Sequence, residues 1–463
     1  MSEVVVLGGG PAGLMAADRL ALAGHRVTLL EASDHLGGMS ASIEVGGQRV
    51  DLGSHRLHPA APEDILDLIR ELLGPDLQTR PRSGRLRLGD RWVGFPLQFG
   101  NLVRTLPPAL TARLALDTAG TTIGGLRPGK AAATSFAEEI HARFGPTVGS
   151  GFYGPYARKL YGTEPEDLDV ELADRRVAAS SPADIARRVL RASRASGRVF
   201  LYPRRGYGQI MERLADHASD AGAELRTGTP ATAVHVENEG VSIDTPDGPI
   251  RADVVLASIP RTVLARLLQP APPDEVLAAV DRHRVRAMVL VYLVLDQPQY
   301  TPFDAHYVPD DGYRVARLSE PKNYRDGEDP ADRTVLCAEV PCWPGDDIAT
   351  ADAAKLGELV ADELGRLGLP HPVPAAVETR YLPSVYPVYD RAGRDDRATL
   401  DRWAADLGPV LPFGRQGLGV IDNLHHVLGM GHAAAEVVRS DGSIDRDAWH
   451  RHLAAFATNT VED

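Results

Sequence analysis

Cysteine is nearly missing from this chain: Cys337 and Cys342 are the only two in 463 residues, with Ala-Glu-Val-Pro between them. Two thiols are too few for a disulfide framework or a zinc site, so one strand cysteine and one turn cysteine is the reading they support, and no metal is expected. Long apolar runs are missing as well. None approaches the roughly 18 residues that span a bilayer, and nothing at the amino terminus resembles a signal peptide, so no integral membrane segment and a cytoplasmic location are expected. Positive charge is in deficit. Fifty Lys and Arg stand against 63 Asp and Glu, for a net charge of −13 and a pI near 5.6, which excludes nucleic acid as a partner because phosphate binding needs a basic surface. No internal repeat or long low-complexity tract is present. What remains, at 43% hydrophobic and 24% charged, is an ordinary globular composition with length for two or three domains. The oligomeric state is left open.

The first 31 residues carry the clearest pattern. Val4, Val5, Val6 and Leu7 suit a strand buried on both faces, and from Leu14 the apolar positions recur at helical spacing. Between them stands Gly-x-Gly-x-x-Gly, as Gly8, Gly10 and Gly13 with Pro11 and Ala12 inside it. Gly8 allows a tight turn, Gly10 lets backbone approach a pyrophosphate, and Gly13 lets helix and strand pack closely, with the phosphates at the helix N-terminus. A second strand over 26–30 delivers Glu31, followed by Ala32. An acid about 20 residues beyond the glycines can accept hydrogen bonds from an adenosine ribose. Strand, turn, helix, strand and acid together predict dinucleotide binding.

Downstream, Gly37, Gly38, Met39 and Ser40 form a glycine pair that can carry amides to the same pyrophosphate. A hairpin turning at Gly46-Gly47 leads into Asp51-Leu52-Gly53-Ser54-His55-Arg56-Leu57-His58. This series resembles the opening of the flavin-dependent superfamily that includes amine oxidases, protoporphyrinogen oxidase, carotenoid desaturases and UDP-galactopyranose mutase. The mutase and protoporphyrinogen-oxidase-like group is nearest, since Gly53, His55 and His58 match its Gly-Pro-His-x-Phe-His. Further similar blocks are 151–162, where Tyr161 replaces a tryptophan, 200–208, Glu320-Pro321-Lys322-Asn323-Tyr324, and Tyr386-Pro387-Val388. The resemblance implies an α/β fold. It consists of a Rossmann-like FAD-binding domain of the glutathione-reductase type, discontinuous over 1–75, 196–275 and 405–463, with an inserted α+β substrate domain over 76–195 and 276–404. It implies non-covalent FAD, with Gly53, Ser54 and His55 beside the flavin ring and Ala231 at the adenine. The amides of Asn423, His426 and Val427 at a helix start would face the flavin.

Elsewhere the pattern predicts strands over 85–88, 91–95, 287–295, 313–318, 334–340 and 376–381. Helices are expected over 108–116, 135–144 and 147–160, and the stripe Leu102, Val103, Leu106, Leu110 and Leu114 reads as core packing, with a membrane-dipping face as the alternative. A single dinucleotide fingerprint leaves no second nucleotide domain, which argues against an NADPH-dependent hydroxylase. Amine-oxidising relatives carry a lysine where this chain has Arg266, weakening the amine oxidase reading. The mutase motif in the final strand keeps Gly414, Arg415 and Gly417 but has Val420 and Ile421 for its arginine and tyrosine, which implies a less anionic substrate. His55, His425 and Arg266 are the candidate catalytic groups; His58, Arg56, Tyr156, Val420 and Tyr386 are the candidates for substrate contact. The expected function is dehydrogenation of a small molecule by hydride transfer to flavin N5, in specialised metabolism. A mutase-type isomerase and a non-catalytic FAD scaffold are the alternatives.

Overall fold

The structure is a computed structural model that describes residues 1–95, 133–177, 199–238 and 240–461, with isolated positions between 107 and 117. Apart from Leu110, the expected apolar stripe over 102–114 lies outside the described residues; of the expected helix 108–116, positions 109, 110, 112, 113 and 116 are described and are helical.

Strand Glu3–Leu7 forms at the centre of a five-stranded sheet whose order is 410–412, 254–257, 3–7, 26–30 and 224–226. Every neighbouring pair is parallel. Its side chains alternate between two cores. Val4 and Val6 pack with helices Pro11–Leu22, Gln209–Asp220 and Leu424–Glu436, while Val5 and Leu7 pack with Val234, Val241 and Leu264 on the other face. Burial on both faces is why four consecutive apolar residues are needed there.

A second sheet of seven strands runs in the order 376–387, 285–295, 334–342, 317–319, 305–307, 84–88 and 91–95. Strand Val285–Leu295 uses the two-residue period of a strand in the same way. Val289, Val291 and Leu293 face helix Ala353–Arg366, whereas Leu290, Tyr292 and Val294 cover the hairpin 42–51. That hairpin thus joins the two sheets. Three helices, Phe136–Phe144, Gly154–Tyr161 and Val170–Arg176, form a further layer with Val388, Tyr389 and Ile421.

Two expected elements differ. The helix expected over 147–160 is broken by a π turn at Gly149–Tyr153, where Pro155 removes a backbone donor and two glycines weaken the turn before it. The strand expected from residue 313 is confined to Arg317–Ser319. Before it, Arg314 and Val315 donate their amides to the Glu363 carboxylate, and the Val315 carbonyl accepts from Lys159 Nζ at 2.8 Å. Side chains have taken the groups that a sheet ladder would use.

Candidate active site

The glycine turn is built as its spacing requires. Gly8 has φ +102°, and a Cβ on Gly13 would stand 1.9 Å from the Gly8 carbonyl oxygen, so only glycine allows this helix to meet this strand. At Gly10 the equivalent Cβ meets nothing within 4 Å. The position opens on free space. Gly37 at φ +102° and Gly38 at φ +52° bring a second turn against the first, the Gly37 amide donating to the Gly9 carbonyl at 2.8 Å. Helix Pro11–Leu22 starts beside them with no side-chain cap and no acid in its first turn. Uncapped donors at a positive helix end between two glycine turns fit a pyrophosphate.

Glu31 closes the far side. Its carboxylate accepts from the Gly9 amide at 2.7 Å and from the Ser33 amide and hydroxyl at 2.8 Å each. The segment reaching Ala231 runs alongside, with Thr229 N donating to the Glu31 carbonyl at 2.9 Å. Ala32, Met39 and Ser40 stand in the same turns. Helix Leu424–Glu436 packs against the first helix so closely that a Cβ on Gly431 would be 2.4 Å from the Ala12 carbonyl oxygen. Its N-terminus therefore extends about 10 Å past that contact, at 1.5 Å per residue.

Asp422, His425, His426 and His58 gather at this helix start. His426 Nδ1 lies 3.1 Å from Asp422 Oδ1, and the His425 and His426 rings stand with centroids 4.1 Å apart and Nε2 atoms at 3.1 Å. Burial, His426 and His58 lower the pKa of His425 to about 4. The expectation of free amides across 423–427 needs correction. Asn423 and His426 form a capping box, with His426 Nδ1 accepting from the Asn423 amide at 3.4 Å, and the Val427 amide donates to the Asn423 carbonyl. Of the amides at this start, those of Leu424 and His425 are left to face outward.

Gly53, Ser54 and His55 lie on a support that the sequence hid. Ser54 N donates to Glu339 Oε1 at 2.8 Å, and Arg317 Nε donates to the same oxygen at 2.8 Å. The His55 ring stacks on Tyr207, with centroids 5.1 Å apart and planes at 14°. Tyr207 N in turn donates to the buried Asp51 carboxylate at 2.9 Å, which also accepts from Ser42 Oγ and the Tyr202 hydroxyl. Burial pushes the Asp51 carboxyl above its ordinary range. Burial, then Arg317 and Arg415, lower the pKa of His55 to about 3, so its imidazole is neutral at pH 7.

Arg56 and Arg266 are corrected. Arg56 donates to the Tyr307 hydroxyl at 2.8 Å and Asp304 Oδ1 at 2.9 Å and lies over the Phe200 and Tyr324 rings, which makes it a bolt between the sheets rather than a substrate anchor. Arg266 is 58% exposed and pairs with the exposed Asp281, away from the histidines and from the glycine turns. Arg266→Ala is expected to leave turnover unchanged and to shift the unfolding free energy by less than about 0.5 kcal/mol. The Tyr386 ring lies 5.8 Å from Arg415 and 5.7 Å from Arg176, and the Tyr156 ring stacks on Phe152 with centroids 5.9 Å apart. Val420 is half-buried just after Gly419, a left-handed residue at φ +65°. The expected final strand around it is a short helix, Gly414–Leu418, and Ile421 is core at 1% exposure. The comparison of Val420 and Ile421 with a strand register therefore fails.

The profile of the flavin containing amine oxidoreductase family matches residues 11–406. The chain belongs to this family. Over 82 residues it is 44% identical to putrescine oxidase of Kocuria rosea, 18% of this chain and 17% of that one. To coproporphyrinogen III oxidase of Mycobacterium tuberculosis it is 27% identical over 293 residues, 59% of this chain and 62% of the relative. The chain thus matches less than two thirds of the length of either relative. The fold superposes on reduced UDP-galactopyranose mutase with a TM-score of 0.79 over 99% of both chains at 20% identity. For putrescine oxidase bound to putrescine the TM-score is 0.62, over 94% of this chain and 98% of the other, at 16% identity. Among the described residues no cluster of three or more His, Cys, Asp or Glu is placed to hold a metal, and no helix is long and apolar enough to cross a membrane.

Buried neutral histidines also set an acid limit. Burial first, with nearby cations, lowers His55, His283 and His306 to about 3, and burial with His426 and His58 lowers His425 to about 4, all from 6.5. Each folded pKa is depressed, so the unfolded chain binds more protons between these values. The stability is present above pH 6.5 and is lost as pH falls toward 4, by up to about 1.4 kcal/mol per pH unit for each histidine. Asp51 and Glu320, raised by burial, act in the opposite direction. Urea midpoints measured from pH 7 to pH 4 should fall steadily; a flat profile contradicts this account.

Proposed function

We propose that the protein binds FAD non-covalently and dehydrogenates a small molecule in specialised metabolism. The supporting observation is the open space at Gly10, set between two left-handed glycine turns and an uncapped helix start, with the Glu31 carboxylate bonded to the neighbouring Gly9 amide. Bound FAD would supply the hydride acceptor at its N5. The chain would supply the rest. Gly8, Gly10, Gly13, Gly37 and Gly38 would admit the pyrophosphate, Glu31 and Ala231 would flank the adenosine, and Gly53, Ser54 and His55 would face the ring. His55, neutral and stacked on Tyr207, and His425, also neutral at pH 7, would each be a candidate to take a proton at its imidazole as the substrate is oxidised. Tyr156, Tyr386, Val420 and His58 would line the substrate side.

Anaerobic mixing with candidate substrates tests the reading. Flavin bleaching by substrate alone is the expected result. Turnover only after dithionite reduction would instead mark a redox-neutral isomerase, a reaction housed by the same fold in the mutase. No response across a broad panel would leave a binding scaffold. His55→Ala and His425→Ala should each slow flavin reduction by about 100-fold or more, the usual size of a positioned acid–base group. Unchanged rates in both would end the proton-transfer proposal.

A further inference from the structure

The seven-stranded sheet ends in an open edge. Strand Ala376–Pro387 pairs on one side with 285–295 and is the last of its sheet, and among the described residues no other strand runs along its free side. Its register against 285–295 is unbroken from Ala376 to Leu382 and shifts beyond. Pro374 and Pro383, which have no backbone donor, bracket that run. Val377, Thr379 and Tyr381 within it are strong strand formers. Tyr381 is 43% exposed, and the side chains of Glu378 and Arg380 are 38% and 40% exposed. A flat edge of this kind presents a row of backbone donors and acceptors to any strand that fits it.

The charges on this edge are of opposite sign and stand symmetrically about Thr379. Val377 packs on helix Ala353–Arg366 at Gly357, and Leu382 packs on the core of the hairpin 42–51. Because side chains alternate between faces, Thr379 and Tyr381 share the face of Val377, whereas Ala376, Glu378 and Arg380 share that of Leu382. An identical strand laid antiparallel, with Thr379 opposite its copy, sets Glu378 against Arg380 and Arg380 against Glu378 on one face. On the other face it sets Val377 against Tyr381 and Tyr381 against Val377. Opposite charges, an aromatic with a β-branched residue, and threonine with threonine are the cross-strand pairs that stabilise a sheet. A shift of one residue either way breaks both charge pairs. In the single chain Arg380 folds back on its own strand, donating to Glu378 Oε2 at 3.0 Å and to the Thr379 carbonyl at 2.8 Å.

We propose that two copies of this chain pair along residues 376–382, antiparallel about Thr379, and join their sheets into one. The occupant is a second copy because this edge is complementary to itself under two-fold rotation, as an isologous interface requires. Each copy carries a net charge of −13, so the pairing is favoured at physiological salt, where repulsion beyond about 8 Å is screened.

Sedimentation equilibrium of the full chain at physiological salt should give twice the chain mass of 49.7 kDa. Arg380→Glu sets like charges opposite each other at both symmetric positions and should raise the dimer dissociation constant about tenfold or more. Adding Glu378→Arg to that variant returns opposite charges to both positions and should restore the dimer. Thr379→Cys, on the two-fold axis, should form an intermolecular disulfide on mild oxidation, since directly opposed strand residues have Cα atoms about 4.5–5.5 Å apart. The unaltered chain should form none, because Cys337 and Cys342 are buried. A monomer at every concentration overturns the proposal and leaves the edge to solvent or to a different partner. A dimer that Arg380→Glu leaves intact and Thr379→Cys does not lock overturns it equally, since it would be built on another surface.

Discussion

A Gly10→Val variant is expected to unfold at the denaturant midpoint of flavin-free wild type, within about 1 kcal/mol, and to purify colourless. The backbone at Gly10, φ −75° and ψ −178°, is extended and open to any residue, and a Cβ there has no atom within 4 Å. The valine methyls would instead fill the space where a pyrophosphate must touch backbone. Gly13→Val is the contrasting control. Its Cβ would lie 1.9 Å from the Gly8 carbonyl oxygen, so strand and helix would have to part and the protein itself should fail to fold. The two glycines thus separate binding from folding within one motif. Absorbance near 450 nm after gel filtration measures the first and denaturant titration the second. A yellow Gly10→Val protein would remove this turn as the flavin site.

The second large effect is expected at Arg56. Its ion pair with Asp304 has side chains only 12% and 2% exposed, and the same guanidinium bonds the Tyr307 hydroxyl. Arg56→Met would leave Asp304 buried with the Ser83 amide, at 3.0 Å, as its remaining hydrogen-bond donor among those described. Breaking one side of a buried pair costs about 3–5 kcal/mol. Arg56→Met combined with Asp304→Leu should be less destabilised than Arg56→Met alone, because no unpaired charge remains. A single-variant loss below about 1 kcal/mol would show that the pair is dispensable.

The two arginines mark the limit of what the sequence could disclose. Gly8, Gly13, Gly37 and Gly38 were legible because their backbone demands are local, and strands 3–7 and 285–295 because burial on both faces leaves an unbroken apolar run. Arg56 carries no such signature. Its partners Asp304, Tyr307 and Tyr324 lie far along the chain and are brought over by the second sheet and the turn that follows its strand 317–319. Glu339 under Ser54, and Tyr207 under His55, were hidden for the same reason. Arg415 stood in a quoted motif and was still missed. Left-handed Gly414 and Gly419 at φ +72° and +65° bound a helical turn where a strand is expected, so the register that set Val420 and Ile421 against an arginine and a tyrosine does not hold.

The central strand of the parallel sheet, residues 3–7, has consequences for the order in which the molecule assembles. Made first, it pairs at once with 26–30, but its other neighbour is 254–257, and the edge beyond that is 410–412. A growing chain therefore holds the glycine turn long before the wall that closes it exists. Such distant pairing slows folding and keeps an apolar strand edge waiting. Flavin capture belongs near the end of this sequence of events, after helix Leu424–Glu436 docks on Ala12. Acquisition of colour would then report that the whole chain has folded.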